Sequence, residues 1–205
     1  MMADQKDSRS KAGPPGGGLD EIAAAARGAR TRGLPPVHLW NPPFCGDIGL
    51  KIDRDGTWRY RGSPIGRPAL VRLFSTILRK DPDSHVLVTP VEKISVDVED
   101  APFLAVDMAV EGAGAARTIR LRTNVDDWLA IDAEHPLRFE PGPSGGVKPY
   151  GRVRGDLWAL ATRSLTLDLV DLGEVRDVDG CARFGVASGG HFFVIADADA
   201  REAFA

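Results

Sequence analysis

Ser63-Pro64-Ile65-Gly66-Arg67-Pro68-Ala69-Leu70-Val71-Arg72-Leu73-Phe74-Ser75-Thr76-Ile77-Leu78-Arg79-Lys80-Asp81-Pro82 is the stretch around which the chain is organised. Leu70, Phe74, Ile77 and Leu78, reinforced by Leu73, recur at the three- and four-residue spacing that lines up one apolar stripe. The spacing predicts a helix from near Ile65 to Lys80, regular from Pro68, because proline is tolerated where the first turn leaves its missing N–H unused. Arg79 and Lys80 are expected in the last turn, complementing exposed carbonyls, with Asp81-Pro82 as the stop. Burying these apolar side chains is worth on the order of 10 kcal/mol gross, enough to anchor a sheet. Upstream, Ile48 to Asp53 and Thr57 to Arg61 read as strands joined by the hairpin turn Asp53-Arg54-Asp55-Gly56.

The 205 residues, 43% hydrophobic, suffice for one large or two small soluble domains. A formal charge of −3 argues against generic DNA binding, while leaving room for a local basic patch. Cys45 and Cys181 are far apart in sequence and fit two buried thiols in a reducing compartment. No apolar run is long enough for a membrane span and the start lacks a signal peptide's hydrophobic region, so the expected location is cytoplasmic.

In chain order, 1–18 is polar and rich in Gly and Pro and reads as a disordered tail, and 19–33 as a short helix. Leu19, Ile22, Ala23 and Ala26 form its apolar side, with Arg27, Arg30 and Arg32 near its end. Prolines bracket His38-Leu39-Trp40 in an extended connector. After the central helix, His85 to Pro90 is a short strand. Alternation then predicts a meander over Ile94–Val98, Leu104–Val110 and Ile119–Leu121, with Asp100-Ala101-Pro102 as a turn. Arg120 and Arg122 are expected to answer Asp97 and Glu99 across it.

The pattern restarts after Asn124. Trp128–Ile131, Leu137–Phe139 and Lys148–Arg154 read as strands, and Pro141 to Gly146 as a loop. A helix capped by Asp156 follows, its stripe being Leu157, Leu160, Ala161, Leu165, Leu169 and Leu172, although Leu165 to Leu169 also alternates as a strand would. Ala182–Ala187 and His191–Ala196, joined by Ser188-Gly189-Gly190, close the chain as a hairpin. The expected fold is α+β, with two similar halves, 34–124 and 125–205. Each half is a mainly antiparallel sheet with one long helix, the product of duplication, and a short N-terminal helix precedes them.

Gly56-Thr57-Trp58, Pro64-Ile65-Gly66-Arg67, Leu73-Phe74, Val88-Thr89-Pro90-Val91-Glu92-Lys93, Asp100-Ala101-Pro102-Phe103 and Arg122-Thr123-Asn124 together resemble a bacterial family designated domain of unknown function 1285. The resemblance runs from about Leu34 to the end. It implies a duplicated core, a second half superficially similar to pleckstrin-homology folds, a site between the halves for something nucleotide-like, and a link to signalling.

Three R-x-R pairs, Arg59 and Arg61, Arg120 and Arg122, Arg152 and Arg154, each place two guanidinium groups on one strand face. Lys148 and Tyr150 join the third pair, making a cradle for phosphate plus base, since arginine forks match phosphate oxygens and a ring can stack a base. The competing reading for each pair is a solvated, salt-bridged sheet face. Arg67 lies at a helix N-terminus, where an anion is favoured or a cap contact forms. Thr89, Glu92 and Lys93 expose a hydroxyl, a carboxylate and an amine at a strand end. The candidate ligand-binding set is thus Arg67, Thr89, Glu92, Lys93, Arg122, Asn124, Lys148, Tyr150 and Arg154, with no catalytic or metal residue and no cofactor assigned.

His38, His85, His135 and His191 have no ligand spacing for zinc; Gly142 to Lys148 lacks the ending of a phosphate-binding loop. Asp197-Ala198-Asp199 lacks the rest of a calcium loop, and no serine or cysteine sits in a nucleophile elbow. The sequence predicts a cytoplasmic, non-catalytic sensor or binding module closing on a small anionic, nucleotide-like ligand. An enzyme acting on such a ligand through Glu92 and Lys93, and a protein- or acidic-lipid-interaction module, are the alternatives.

Overall fold

The computed structural model describes residues 18–29, 33–142 and 146–199. All of the expected tail but Gly18, together with Arg30, Arg32 and the centre of the 141–146 loop, lies outside the described residues. Helix α1 (Leu19–Gly28) buries Ile22, Ala23 and Ala26 completely and packs on α2 (Pro68–Thr76), whose own buried stripe is Leu70, Leu73 and Phe74.

The first sheet contains β1 (Phe44–Ile52), β2 (Trp58–Tyr60), β3 (Ser63–Pro64), β4 (Leu78–Asp81), β5 (Ser84–Val88) and β6 (Lys93–Val98). Its order across the sheet is β3-β2-β1-β6-β5-β4, antiparallel except for the central pair β1 and β6, where Ile52 stands opposite Val98. The β1–β2 turn closes as its residues suggest: Asp53 N–H donates to Thr57 O at 3.0 Å, and Gly56 takes φ 78°, a conformation open to glycine.

The second sheet contains β7 (Phe103–Glu111), β8 (Thr118–Thr123), β9 (Trp128–Ala130), β10 (Leu137–Pro141), β11 (Val147–Arg154) and β12 (Leu157–Ala161). The order is β10-β11-β12-β7-β8-β9, with β12 and β7 parallel. Each sheet is therefore two three-stranded antiparallel units joined through their first and sixth strands, the same plan twice. The helices are placed differently: α2 connects the third and fourth strands of the first sheet, whereas α3 (Arg163–Asp171) follows the sixth strand of the second. The second sheet curls over itself, because a Cβ on Gly151 of β11 would fall 3.0 Å from the Leu121 side chain of β8.

A third sheet, β13 (Glu174–Val178), β14 (Cys181–Ser188) and β15 (His191–Asp197), completes the described chain. It is stitched to the second by Ser188, which is 1% exposed. Ile131 N–H donates directly to Ile119 O at 2.8 Å, but the reciprocal bond is replaced by a hydroxyl bridge. Ile119 N–H donates to Ser188 Oγ at 2.8 Å and the hydroxyl donates to Ile131 O at 2.7 Å. Arg117 reinforces the join, donating from Nε to Ala187 O at 3.0 Å.

Several expectations are overturned. The central helix stops at Thr76, and Leu78–Asp81 is a strand turning through Pro82-Asp83 into β5. Arg79 and Lys80 thus lie on β4 rather than in a last helical turn. The stretch expected as one helix from Asp156 is divided into β12 and α3, with Thr162 at the N-cap position. Neither half has a long helix, α2 and α3 being nine residues each. The expected meander is broken, because Asp100-Ala101-Pro102 links two sheets and β6 pairs with β1 and β5. Arg120 pairs with Glu111, and Arg122 with Asp107 and Asp126, in place of Asp97 and Glu99. Cys45 is half-buried and Cys181 exposed, where burial was expected. No helix among the described residues is long and apolar enough to cross a membrane.

Candidate functional site

Five of the nine candidate residues lie where the two six-stranded sheets meet, in two groups toward opposite ends of β11. The first group surrounds Asp100, in the linker between β6 and β7. Lys148 and Tyr150 share a face of β11 because they are two residues apart. Both reach the Asp100 carboxylate, Lys148 Nζ at 2.6 Å and Tyr150 Oη at 2.7 Å. Arg54, from the β1–β2 turn, approaches it at 3.6 Å with most of its side chain in solvent. Two cations and a phenol therefore share one carboxylate, and the cluster carries an excess positive charge.

Burial pushes the Asp100 carboxyl upward, yet the hydrogen bonds from Lys148 and Tyr150 outweigh it and hold the pKa below the usual carboxylate range. Lys148 responds in kind: burial lowers its pKa, and the bonds to Asp100 and Tyr150 more than reverse that. Beside them, the Arg138 guanidinium lies between two aromatic faces, 4.8 Å from the Tyr150 ring centre and 4.3 Å from that of Trp158.

The second group joins the end of α2 to the β8–β9 turn. Arg122 pairs with Asp107 and Asp126, each at 3.1 Å, and Asp126 also pairs with Arg72 of α2. Asp126 presents its carboxylate to both from a left-handed backbone at φ 68°, which aspartate tolerates better than most residues. Arg154 pairs with Asp127 at 3.3 Å, donates to Ser75 O near the end of α2, and lies over the Phe103 ring. Burial pulls its pKa below the ordinary arginine value, against the attraction of Asp127. Asn124 exchanges hydrogen bonds with the Leu104 backbone, at 3.1 Å through Oδ1 and 2.9 Å through its N–H. Its Nδ2 lies so close to Gly56 that a Cβ there would sit 2.7 Å away.

The other four candidates lie apart from these groups. Arg67, at the N-cap position of α2, makes no side-chain cap bond and pairs with Asp20 of α1 at 3.3 Å. Thr89 is buried and accepts the Glu92 N–H at 3.2 Å, fixing the turn before β6. Lys93 pairs with Asp81 at 3.1 Å, a carboxylate shared with Arg79. Glu92 is half-buried, and burial, aided by the charge of Glu21, raises its pKa. The R-x-R pairs diverge as well: Arg59 pairs with Asp53, Arg61 stacks on Tyr60, and Arg152 donates to Gly155 O.

Sequence spacing missed Arg54, Asp100, Arg72 and Arg138 as members of these groups. Asp100-Ala101-Pro102 was visible only as a turn, and no local pattern relates Asp100 to Lys148.

The family described as "Domain of unknown function (DUF1285), N-terminal domain" matches residues 35–101, and "Protein of unknown function (DUF1285), C-terminal domain" matches 102–195. The chain belongs to the DUF1285 family. Its two family segments meet inside the linker, next to Asp100. A crystal structure of a DUF1285 family protein from Silicibacter pomeroyi DSS-3 is 46% identical, covering 88% of this chain and 97% of that one, with a TM-score of 0.80. Another DUF1285 family protein, from Shewanella baltica OS155, is 25% identical over 60% of this chain and 91% of its own, with a TM-score of 0.49. No curated protein matches the chain.

Proposed function

We propose that this DUF1285 protein is a non-catalytic cytoplasmic sensor that binds a small anionic, nucleotide-like ligand where its two sheets meet. The observation that carries the reading is the positive excess at Asp100, where Lys148 and Arg54 converge from different sheets beside the Tyr150 ring. A phosphate would be taken by the ammonium and the exposed guanidinium through charge-assisted hydrogen bonds. A base would stack on the face of Trp158 away from Arg138, an interaction worth about 1–3 kcal/mol per base. Arg122, Asn124 and Arg154 then position the second sheet against α2 and the β1–β2 turn, while Arg67, Thr89, Glu92 and Lys93 serve the first half alone.

Two measurements test this. Native mass spectrometry of freshly purified protein should find a retained anionic small molecule. Titration with millimolar AMP, followed by amide NMR, should move the signals of Arg54, Asp100, Lys148 and Tyr150, and the Lys148→Ala variant should respond at least tenfold more weakly. A spectrum unmoved by AMP, pyrophosphate and a wider nucleotide panel refutes the reading.

A further inference from the structure

Asp100 occupies the place that an incoming anion would need. Its side chain is 9% exposed, and its two oxygens are divided between donors: Lys148 and Arg54 face one, Tyr150 the other. That division, a cation fork on one oxygen and a phenol on its neighbour, is how a phosphate or ligand carboxylate would be held by the same three side chains. The carboxylate is delivered by the linker that joins the two sheets. On its N-terminal side the linker is fixed to the first sheet, Glu99 N–H donating to Ile52 O at 3.1 Å. Glu99 itself is taken up by Lys51 and by the Arg54 backbone N–H at 2.9 Å, so it is not a second occupant of the cluster.

We infer that Asp100 is an internal mimic of the ligand's anionic group, an autoinhibitory contact that must leave Lys148, Tyr150 and Arg54 before an anion can bind. The inference rests on the ligand reading above and adds its regulation. A group tethered by a short linker competes at high effective concentration, so the closed state suppresses adventitious anions and only a ligand with additional contacts displaces it. Since the tether also connects the sheets, displacement changes the linker while the Arg72–Asp126 and Arg154–Ser75 contacts hold the sheets together, so the site reports occupancy through the linker itself.

The test compares wild-type protein with Asp100→Asn, using AMP and inorganic pyrophosphate as probes in isothermal titration. Asn keeps the size and one acceptor of Asp but removes the competing charge. The expected result is at least tenfold tighter binding of both probes by Asp100→Asn. Equal or weaker binding by the variant, with measurable binding by wild type, overturns the inference and leaves the ligand reading standing. No binding by either protein overturns both.

A second measurement uses only the wild type and is independent of the variant's folding. The Asp100 carboxyl, followed by carbon NMR against pH, should return upward toward the ordinary value of 3.8 when AMP is bound. A titration unchanged by saturating AMP shows that Asp100 has stayed in place, and overturns the inference.

Discussion

Replacing Ser188 with alanine tests how the third sheet is attached. The hydroxyl is the bridge in one rung of the β8–β9 ladder, accepting from Ile119 N–H and donating to Ile131 O at 2.8 and 2.7 Å. Ile119 and Ile131 are themselves fully buried, so water cannot take over either bond without entering the core. Removing the hydroxyl leaves one buried donor and one buried acceptor unmet, each costing about 1–3 kcal/mol, so the expected loss is about 3 kcal/mol. Against the roughly 5–15 kcal/mol of a typical domain, that is a large fraction. Urea unfolding followed by tryptophan fluorescence should show a lower midpoint with an unchanged slope, and amide exchange at Ile119 should accelerate. A loss below about 1 kcal/mol would mean that Ile119 N–H closes directly onto Ile131 O without the hydroxyl, and the bridging argument would be wrong.

Burial, helped by Lys80 and opposed by Asp156, pushes the His85 pKa down to about 4 from its ordinary 6.5. Between those values the unfolded chain holds a proton that the folded chain refuses, so His85 contributes stability that is full above pH 6.5 and is lost as pH falls toward 4. His85→Gln should flatten that segment of the stability profile in thermal melts; an unchanged slope removes His85 as its source. Arg79 donates to Val37 O and Trp40 O, both at 2.7 Å, and to Asp81, tying the proline-rich connector to β4. Lysine cannot span these acceptors, so Arg79→Lys should cost about 1–3 kcal/mol and raise proteolysis around Trp40. An unaltered urea midpoint and digestion pattern would refute that role.

The fold class was legible because its signals are local: the stripe of α2, the turn at Gly56 and the alternation along β6 and β8. The errors arose where two periods coincide or where a distant strand decides. Leu78 continues the helical stripe, yet Leu78–Asp81 gains a partner in β5 through the two-residue turn at Pro82-Asp83. Leu157, Ala159 and Ala161 alternate inward as a strand while Leu157, Leu160, Ala161 and Leu165 also satisfy a helix. The parallel pairs at the middle of each sheet leave no trace in neighbouring residues, so the linker at Asp100 looked like a hairpin turn. Of the site, the shared face of Lys148 and Tyr150 could be read from spacing. Its carboxylate could not, because Asp100 gains meaning only from the tertiary fold. Ser188 likewise read as part of a turn, its partners lying in strands far upstream.

The central parallel pairs also govern how the chain can assemble. Within each sheet the hairpins β1–β2, β4–β5, β7–β8 and β10–β11 join neighbours in sequence and can form early. The seams β1–β6 and β7–β12 bring together residues as distant as Ile52 and Val98 or Leu104 and Leu160, and must close a long loop first. The expected order is therefore the two three-stranded units first and the seam between them last, which late amide protection along the β1–β6 and β7–β12 bonds during refolding would check. Until then the inner edges of β1, β6, β7 and β12 stand unpaired, and these four strands are where a nascent chain is most open to mispairing with its neighbours.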